Sequence, residues 1–467
     1  MIYRRTQSLC PICLRRIEAC YENVTPKKEI PLSSENPHET VFLTKTCPEH
    51  GFFSVPIWRR SQESPVPLFT AWSRPKLPSY PEKPATTHSQ GCPYDCGLCP
   101  EHAQHTCTGL VEVTMRCNLN CPVCYADAGS AVPADPSLDQ IAAQFTALRT
   151  QSGRCSVQIS GGEPTVREDL PQIIALAAEH DFGLVQLNTN GLRLAEEPGY
   201  AEILAKAGLE SVYLQFDGTC EETSLHLRGR PCLERKLKAI EACKQAGLGI
   251  VLVATLIKDI NDHELGDLLR LALSLGPNVR GLHLQPCAFF GRYPYSLDTA
   301  PRLTLPEVLE SLACQAPELV NARDFHPPAC EHELCSFSCV YQRSAGGLIP
   351  LKATTCSCKD KAAHSVPRAS EGADLAKRVT QLNWKASQDT STPGACDSFS
   401  NFLAKTNARS RFTISCMAFQ DALSLDLARV RGCCIHVVTG DGRLVPFCLR
   451  NLSSLHGHPL YPRIRTS

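Results

Sequence analysis

Three closely spaced cysteines, Cys117, Cys121 and Cys124, are the residues of this sequence best suited to chemistry. They follow a run of strand-forming residues at 110–115, and Tyr125 comes directly after the third cysteine. A 4Fe-4S cluster takes four ligands, so a loop with three thiolates leaves one iron open to bind something other than protein. The spacing therefore predicts a cluster with one open coordination position. A structural zinc site or an inert cluster is the alternative.

A second loop upstream repeats this spacing with Cys92, Cys96 and Cys99. Here a fourth cysteine, Cys107, follows before the next predicted strand. Four local thiolates would complete the coordination of a cube, which is typical of an auxiliary 4Fe-4S cluster. We therefore predict such a cluster in residues 91–109, with zinc as the alternative.

The amino-terminal segment carries a third group of metal-binding residue types, namely Cys10, Cys13, Cys47 and His50. Two short turns on either side of a hairpin can hold one tetrahedral ion, either zinc or iron as in rubredoxin. A metal would also stabilise a segment with so small a core. In the alternative, His50 is only a turn residue, and Cys20 or water completes the site.

Further cysteines lie beyond the central part of the chain and suggest one more cluster. The predicted ligands of this carboxyl-terminal cluster, with the last as a substitute, are Cys330, Cys416, Cys434, Cys448 and Cys433. The remaining thiols of this region could be redox partners, another metal site or neither; they are Cys335, Cys339, Cys356 and Cys358.

The composition favours a soluble, cytoplasmic protein. The 467 residues include 47 basic and 47 acidic side chains, so no net charge favours nucleic acid or anionic lipid. The 27 cysteines, in a chain without a recognisable export signal, indicate metal sites rather than disulfides. No stretch approaches the roughly 20 apolar residues of a transmembrane helix.

Alternating strand and helix patterns surround the cysteine loop. The predicted strands lie at 110–115, 155–160, 183–189, 210–216, 248–255 and 279–285. Helical patterns lie between and after them, at 137–148, 233–245, 262–275 and 302–320. Six β/α units predict an α/β fold with a parallel, barrel-like sheet, whose chemistry lies at the carboxyl ends of the strands.

We expect six segments along the chain. They are a zinc-ribbon-like or rubredoxin-like domain at 1–60, a proline-rich surface linker at 61–90, the auxiliary cluster loop at 91–109, the barrel at 110–300, a helical and cysteine-rich extension at 301–400, and a carboxyl-terminal cluster domain at 401–467. The extension ends in a polar segment at 385–400, which we predict to be a mobile loop.

Glycines and polar residues follow the predicted strands. The sequence Gly161-Gly162-Glu163-Pro164 ends the second strand, where glycines allow close approach of the backbone and a carboxylate can hold an ammonium group. Polar residues that end the third and fourth strands, or follow them, are Asn188, Asn190, Gln215, Asp217 and Arg228.

The cysteine loop followed by Gly-Gly-Glu-Pro closely resembles the radical S-adenosylmethionine (SAM) superfamily. In that family the open iron chelates the amino and carboxylate groups of SAM, and the reduced cluster cleaves SAM to a 5'-deoxyadenosyl radical. The resemblance implies a curved, partial (β/α)6 TIM-like barrel, with Glu163 at the SAM amino group and Arg228 at its carboxylate. The residues implied to shape the SAM pocket are Tyr125, Gly161, Gly162, Glu163, Pro164, Asn188, Asn190, Gln215, Asp217 and Arg228.

The whole chain also resembles one branch of this superfamily. The amino-terminal metal site, the Gly-Cys-Pro loop at 91–99 and the tail with Cys433, Cys434 and Cys448 are similar to tetraether lipid synthases and to the bacterial radical SAM (seleno)protein TrsS. Lipid synthases of this type join carbons of two lipid tails. The additional cysteines near the tail favour the bacterial group, whose substrate the resemblance does not supply.

These observations predict a radical SAM enzyme that abstracts hydrogen from an unidentified substrate. Its expected cofactors are two or three 4Fe-4S clusters, SAM and one mononuclear zinc or iron, and its expected partner is an external electron donor of the ferredoxin or flavodoxin type. We expect no nucleic acid partner and no transmembrane segment, with peripheral membrane contact if the substrate is a lipid. The alternatives are tetraether-type carbon–carbon coupling of lipid chains, a multicluster electron-transfer or redox-sensing protein, and a zinc-ribbon scaffold.

Overall fold

The computed structural model describes residues 1–23, 39–129, 134–296, 300–351, 366–385 and 410–462. Of the predicted mobile loop at 385–400, only its first residue belongs to these ranges. Cys356 and Cys358 also lie outside the described residues.

Residues 1–60 contain a small antiparallel sheet. Its strands follow the chain order and are β1 (Ile2–Leu9), β2 (Arg16–Glu22), β3 (Glu39–Cys47) and β4 (Gly51–Arg60). Alternate residues of β2 are buried, including Ile17, Ala19 and Tyr21, as expected for a sheet with one face on a core. The turns after β1 and β3 carry the predicted metal ligands.

A second sheet of eleven strands contains the predicted barrel. Its centre consists of six adjacent parallel strands: β5 (Thr108–Thr114), β6 (Ser156–Gly161), β7 (Leu184–Thr189), β8 (Ser211–Gln215), β9 (Gly249–Leu256) and β10 (Val279–Pro286). These strands are almost continuously buried, because helices cover one face and the barrel interior the other. The predicted α/β fold class is confirmed.

Helices follow the strands and shield them from water. They are α1 (Leu138–Ser152), α2 (Leu170–Glu179), α3 (Leu192–Glu196), α4 (Tyr200–Lys206), α5 (Glu221–Arg228), α6 (Leu233–Gln245), α7 (Leu265–Ser274) and α8 (Leu305–Gln315). Ser137 caps α1, because its side chain accepts a hydrogen bond from the Gln140 backbone N–H while the Gln140 side chain bonds back to Ser137. None of the described helices is both long and apolar enough to cross a bilayer.

The carboxyl-terminal segments extend the same sheet at both edges. Strand β13 (Arg411–Met417) pairs in parallel with β10, and β14 (Ile435–Val438) pairs in parallel with β5. The outer elements are β11 (Ser336–Ser344), β12 (Gly347–Pro350), β15 (Leu444–Pro446), α10 (Leu427–Arg431) and α11 (Phe447–Asn451). The described part of 401–467 is therefore not a separate domain, contrary to prediction, because its strands satisfy the edge hydrogen bonds of β5 and β10.

Helix α9 (Ala369–Trp384) lies across the amino-terminal ends of the barrel strands. Arg280, at the start of β10, donates to the Asn383 carbonyl at 2.9 Å. Gln381 lies directly against Gly183, which precedes β7. Lys377 donates to the carbonyl of Ser152, at the end of α1. We conclude that α9 closes the end of the barrel opposite the cysteine loop.

The predicted surface linker at 61–90 is only partly at the surface. It has no helix or strand, as expected, but Val66, Phe69 and Trp72 are buried in the core of the amino-terminal sheet. Trp72 also donates its indole N–H to the Glu333 carbonyl at 2.9 Å. Burial of these three apolar side chains holds the segment against the core. The prediction of a surface linker rested on proline content and did not take this burial into account.

Candidate active site

The loop of Cys117, Cys121 and Cys124 follows the carboxyl end of β5 and lines a cavity of about 290 Å³. Their side chains lie together beside Leu119 and Leu192. Burial raises the pKa of the Cys117 thiol to about 12, so these apolar surroundings favour a thiol unless a cation replaces the proton. Three thiols that share one cavity therefore fit an iron–sulfur cluster better than they fit free thiolates.

A segment after β10, which the sequence interpretation missed, holds the cysteine loop in place. The backbones of Cys124 and Arg292 exchange two hydrogen bonds, at 2.8 and 2.9 Å. The Arg292 side chain donates to the Cys121 carbonyl at 2.8 Å. A Cβ at Gly291 would lie 2.3 Å from the Cys124 carbonyl oxygen, so only glycine permits this contact. Gly291 was the sequence feature that could have indicated this close contact.

The two glycines at the end of β6 are required by contact with the protein itself. A Cβ at Gly161 would lie 2.1 Å from the Thr114 carbonyl oxygen, and one at Gly162 would lie 2.3 Å from that of Arg116. The Gly162 N–H donates to Thr114 at 2.7 Å. These contacts bring the turn after β6 against the start of the cysteine loop. Pro164 begins a short 3-10 turn behind them and is buried.

The Glu163 carboxylate joins two strand ends. One oxygen accepts hydrogen bonds from the Thr165 hydroxyl and the Thr189 hydroxyl, each at 2.7 Å, and from the Thr165 N–H. The other oxygen accepts from the Asn190 N–H at 2.7 Å. Glu163 is 1% exposed but still lines the cavity. It therefore fixes the turns after β6 and β7 in addition to any contact with a ligand.

Arg228 is paired within the protein, where the resemblance implied a free guanidinium for SAM. It forms a bidentate salt bridge with Asp217, at 2.6 and 2.8 Å, and also donates to the Val123 carbonyl at 3.3 Å. Burial opposes its charge, but Asp217 outweighs that effect and raises the pKa of Arg228. Arg228 also lines the cavity. Its bonds to Val123 and Asp217 tie the cysteine loop to the segment that follows β8.

Buried polar side chains surround this salt bridge. Lys236, on α6, donates to the carbonyl of Asn190 at 3.1 Å and to the side-chain oxygen of Gln215 at 2.7 Å. Desolvation lowers the pKa of Lys236 to about 8. Gln215 lines the cavity at the end of β8 and also contacts Asp217.

The asparagines after β7 and the tyrosine after the cysteine loop lie at the same cavity. Asn190 donates to Asn118 at 2.8 Å, within the cysteine loop. Asn188 donates to Gln158 at 3.2 Å, and its Oδ1 has no hydrogen-bond partner among the described residues. The Tyr125 hydroxyl lies 3.2 Å from the Ser160 hydroxyl. The structure thus brings these predicted residues together with the three cysteines.

The amino-terminal metal ligands converge as predicted. The ligand atoms of Cys10, Cys13, Cys47 and His50 all lie within 4.8 Å of one another. His50 Nδ1 is 3.6 Å from the Cys10 sulfur and 3.4 Å from the Cys47 sulfur. Desolvation opposes ionisation, but the contact with His50 lowers the pKa of Cys47 to about 6. Such a group fits one tetrahedral zinc or iron ion.

Cys107 does not join the cysteine loop that precedes it, which corrects one predicted ligand. It groups instead with Cys330 and Cys434, within 4.8 Å, and its sulfur is 3.0 Å from that of Cys434. The reason is the parallel pairing of β14 with β5, which places the Cys107 N–H 2.8 Å from the Cys434 carbonyl. Cys92 and Cys96 remain in contact, and that contact lowers the pKa of Cys92. Cys99 lies near both, in the same loop.

The predicted carboxyl-terminal ligand set is divided by the structure. Cys416 lies in the apolar core at β13 and belongs to neither convergent ligand group of the described residues, and burial alone raises its pKa. Cys433, Cys434 and Cys448 line a small cavity of about 30 Å³ together with Cys335. Arg429 donates to the Cys335 sulfur at 3.4 Å. The sheet register determines which cysteines meet, and the sequence alone does not reveal it.

Comparison with known proteins identifies the family. Residues 111–272 match the radical SAM superfamily, and residues 2–59 match the HMPTM N-terminal zinc ribbon domain. Over 492 aligned residues the chain is 34% identical to the 7,8-dihydro-6-hydroxymethylpterin dimethyltransferase of Methanocaldococcus jannaschii, and the match covers 96% of this chain and 93% of that protein. The chain belongs to the radical SAM family of this archaeal enzyme.

Two further similarities cover less of this radical SAM enzyme. A probable GTP 3',8-cyclase of Aeropyrum pernix is 30% identical over 228 residues, which is 47% of this chain and 62% of the cyclase. Streptococcus suis SuiB, solved with bound S-adenosylmethionine, has a TM-score of 0.36 and 16% identity, over 44% of this chain and 45% of that chain.

The family assignment corrects the predicted branch. The resemblance to tetraether lipid synthases rested on features distributed along the whole chain, and a relative that matches 96% of the chain is a 7,8-dihydro-6-hydroxymethylpterin dimethyltransferase. The alternative of a lipid substrate, and the membrane contact that depended on it, are therefore withdrawn. The radical SAM enzyme itself, with its amino-terminal zinc ribbon, is as predicted.

Proposed function

We propose that this radical SAM enzyme methylates a dihydropterin, with 7,8-dihydro-6-hydroxymethylpterin as the first substrate to test. The observation that carries the proposal is the 34% identity with the archaeal dimethyltransferase over 96% of the chain. A match of this extent includes the carboxyl-terminal strands that complete the cavity, in addition to the barrel strands within residues 111–272.

Cys117, Cys121 and Cys124 would hold the cluster that, when bound, supplies the electron for SAM cleavage. The chain's own residues position the reactants around it. Arg292 and the Asp217–Arg228 pair hold the cysteine loop against the strand ends. Apolar rings of Phe290, Phe419 and Phe447 line the same cavity and reduce access of water to a reactive intermediate.

We also propose three further metal centres. The ribbon would hold one zinc or iron through Cys10, Cys13, Cys47 and His50, as its ligand spacing supports. An auxiliary 4Fe-4S cluster would bind the loop of Cys92, Cys96 and Cys99. A third centre would bind the buried group of Cys107, Cys330 and Cys434. A cytoplasmic donor of the ferredoxin or flavodoxin type would then supply the electrons.

The test is product analysis after anaerobic reconstitution with iron and sulfide. The protein is incubated with dithionite, 7,8-dihydro-6-hydroxymethylpterin and SAM in excess, so that one SAM molecule can supply the radical and a second the methyl group. A parallel reaction adds a methylene-folate as the one-carbon donor, and products of both reactions are identified by mass spectrometry. We expect pterin products heavier by one or two CH2 units, and none from a Cys117→Ala, Cys121→Ala, Cys124→Ala variant. Native protein with full iron content that cleaves SAM but leaves the pterin unmethylated would contradict the proposed substrate.

A further inference from the structure

The cavity at the cysteine loop continues inward toward the closed end of the barrel. Cys117 and Cys124 line it at the carboxyl ends of the strands, and Trp384, the last residue of α9, lines it too. Because α9 packs on the opposite ends of the strands, this one cavity extends through the barrel interior. We call its deep part the inner chamber, lined by Gln158, Asn188, Tyr213, His283 and Trp384.

Aromatic rings form one wall of the inner chamber. The Tyr213 ring lies 5.7 Å from that of Trp384, at an interplanar angle of 34°, and 5.4 Å from the His283 ring. Tyr213 and His283 come from β8 and β10, whose alternate residues face the barrel interior. Such a continuous set of ring faces and edges suits a flat, heteroaromatic ligand.

The amides of Gln158 and Asn188 form another wall, and the buried Gln186 continues their row behind it. Gln186 donates to Ser211 at 3.1 Å, Gln158 donates to Gln186 at 2.7 Å, and Asn188 donates to Gln158 at 3.2 Å. This sequence of bonds fixes the orientation of each amide. It leaves Asn188 Oδ1 as an acceptor without a partner among the described residues. The wall therefore offers hydrogen bonding without charge.

The histidine of the inner chamber, His283, is uncharged. His283 Nδ1 lies 2.8 Å from the Ser415 hydroxyl, and desolvation lowers the pKa of His283 to about 3. The ring is therefore neutral at physiological pH and can accept or donate one hydrogen bond. None of the five side chains that define the inner chamber is ionised at that pH, so a neutral polar ligand fits better than an anion or a cation.

We propose that the inner chamber binds the pterin ring, with Trp384 and Tyr213 against the bicycle and His283 with the amide row at its polar edge. This inference rests on the proposed function. A pterin is flat and uncharged at neutral pH, and its pyrimidine edge carries an amino group, an N–H and a carbonyl. With that edge inward, the hydroxymethyl end points toward the cysteine loop. Trp384, outside the region that matches the superfamily, thus becomes a specificity residue.

The test measures binding of 7,8-dihydro-6-hydroxymethylpterin to the reconstituted holoenzyme by anaerobic calorimetry, with SAM affinity measured separately. The variants are Trp384→Leu, which removes the ring, and His283→Phe, which keeps the shape but removes the polar edge. Leu382→Ala, at an exposed position of α9, is the matched control. We expect each chamber variant to raise the pterin Kd by about tenfold or more, while the SAM Kd and iron content stay unchanged.

The outcomes separate this inference from the proposed function. If the native holoenzyme does not bind the pterin, the proposed function fails. If the native enzyme binds it and both chamber variants bind it equally well, the function stands and the chamber assignment is overturned. If Trp384→Leu loses iron or SAM affinity through misfolding, the Trp384→Phe variant tests the stacking role instead. Because Phe keeps an aromatic ring, this variant should bind the pterin like the native enzyme. Weak pterin binding by Trp384→Phe, with normal SAM affinity and iron content, would refute the stacking role.

Discussion

Substitution of Asp217 by asparagine should destabilise the end of the barrel that carries the cysteine loop. The Asp217 and Arg228 side chains are only 2% and 9% exposed, and two hydrogen bonds of 2.6 and 2.8 Å join them. The asparagine leaves the guanidinium buried without its counter-charge. Removal of one partner from a buried ion pair costs about 3–5 kcal/mol.

The magnitude can be compared directly with an exposed pair in the same chain. If each kcal/mol shifts the melting temperature by about 2 °C, Asp217→Asn should lower the Tm of the anaerobic holoenzyme by roughly 6–10 °C. Glu196 pairs with Arg235 at 3.1 Å, but these side chains are 57% and 45% exposed. Glu196→Gln should therefore cost less than about 1 kcal/mol.

A double variant tests the physical cause. Asp217→Asn combined with Arg228→Met removes the unpaired charge and should recover part of the lost Tm, because apolar replacements of buried ion pairs are often tolerated. Differential scanning fluorimetry under argon provides the readout, and iron content reports whether the cysteine loop survives. Equal Tm values for Asp217→Asn and Glu196→Gln, or no recovery in the double variant, would refute the reasoning.

Three other predictions concern the glycine turn after β6, Lys236 and the buried cysteine group. Gly161→Ala places a Cβ 2.1 Å from the Thr114 carbonyl oxygen at a φ of +129°. It should therefore lower the free energy of unfolding by at least about 2 kcal/mol and reduce bound iron. The control Gly440→Ala, whose Cβ would have no atom within 4 Å, should change neither. Lys236 has a pKa lowered to about 8 in the folded protein, so between about pH 8 and 10 the unfolded chain binds more protons than the folded one. The free energy of unfolding should therefore rise with pH across this window. A difference in Tm between the native protein and Lys236→Met that does not change across the window would contradict the lowered pKa. Cys107→Ser should remove the iron bound by Cys107, Cys330 and Cys434 but keep the electron paramagnetic resonance signal of the cluster in the 91–99 loop. Loss of that signal would instead support Cys107 as the fourth ligand of the loop, as the sequence alone predicted.

Local spacing was sufficient to predict much of the site and the central fold. The loop of Cys117 to Cys124, the glycine turn after β6 and each of the two amino-terminal ligand pairs lie within short sequence distances, so their chemistry is visible in the residues themselves. The six central strands lie within two residues of their predicted bounds, because continuous apolar runs mark buried parallel strands.

Contacts between distant segments were not predictable in the same way. The partners of Cys107 depend on β14 pairing with β5 across more than 300 residues, and no local pattern encodes that register. The inner-chamber position of Trp384 depends on α9 packing beneath the barrel, and the pairing of Arg228 with Asp217 depends on side-chain geometry. The glycines of the β6 turn were predicted for a ligand, and the structure shows that the adjacent backbone already requires them.

The most direct test of the central claim is the pterin dependence of SAM cleavage. Reconstituted holoenzyme is incubated with SAM and dithionite, with and without 7,8-dihydro-6-hydroxymethylpterin, and 5'-deoxyadenosine is quantified beside the triple cysteine-to-alanine variant at positions 117, 121 and 124. A radical SAM enzyme that acts on this pterin should form 5'-deoxyadenosine faster in its presence, and the variant should form none. Equal rates with and without the pterin, in protein that retains its iron, would contradict the assigned substrate, and formation by the triple variant would contradict the assigned cluster site.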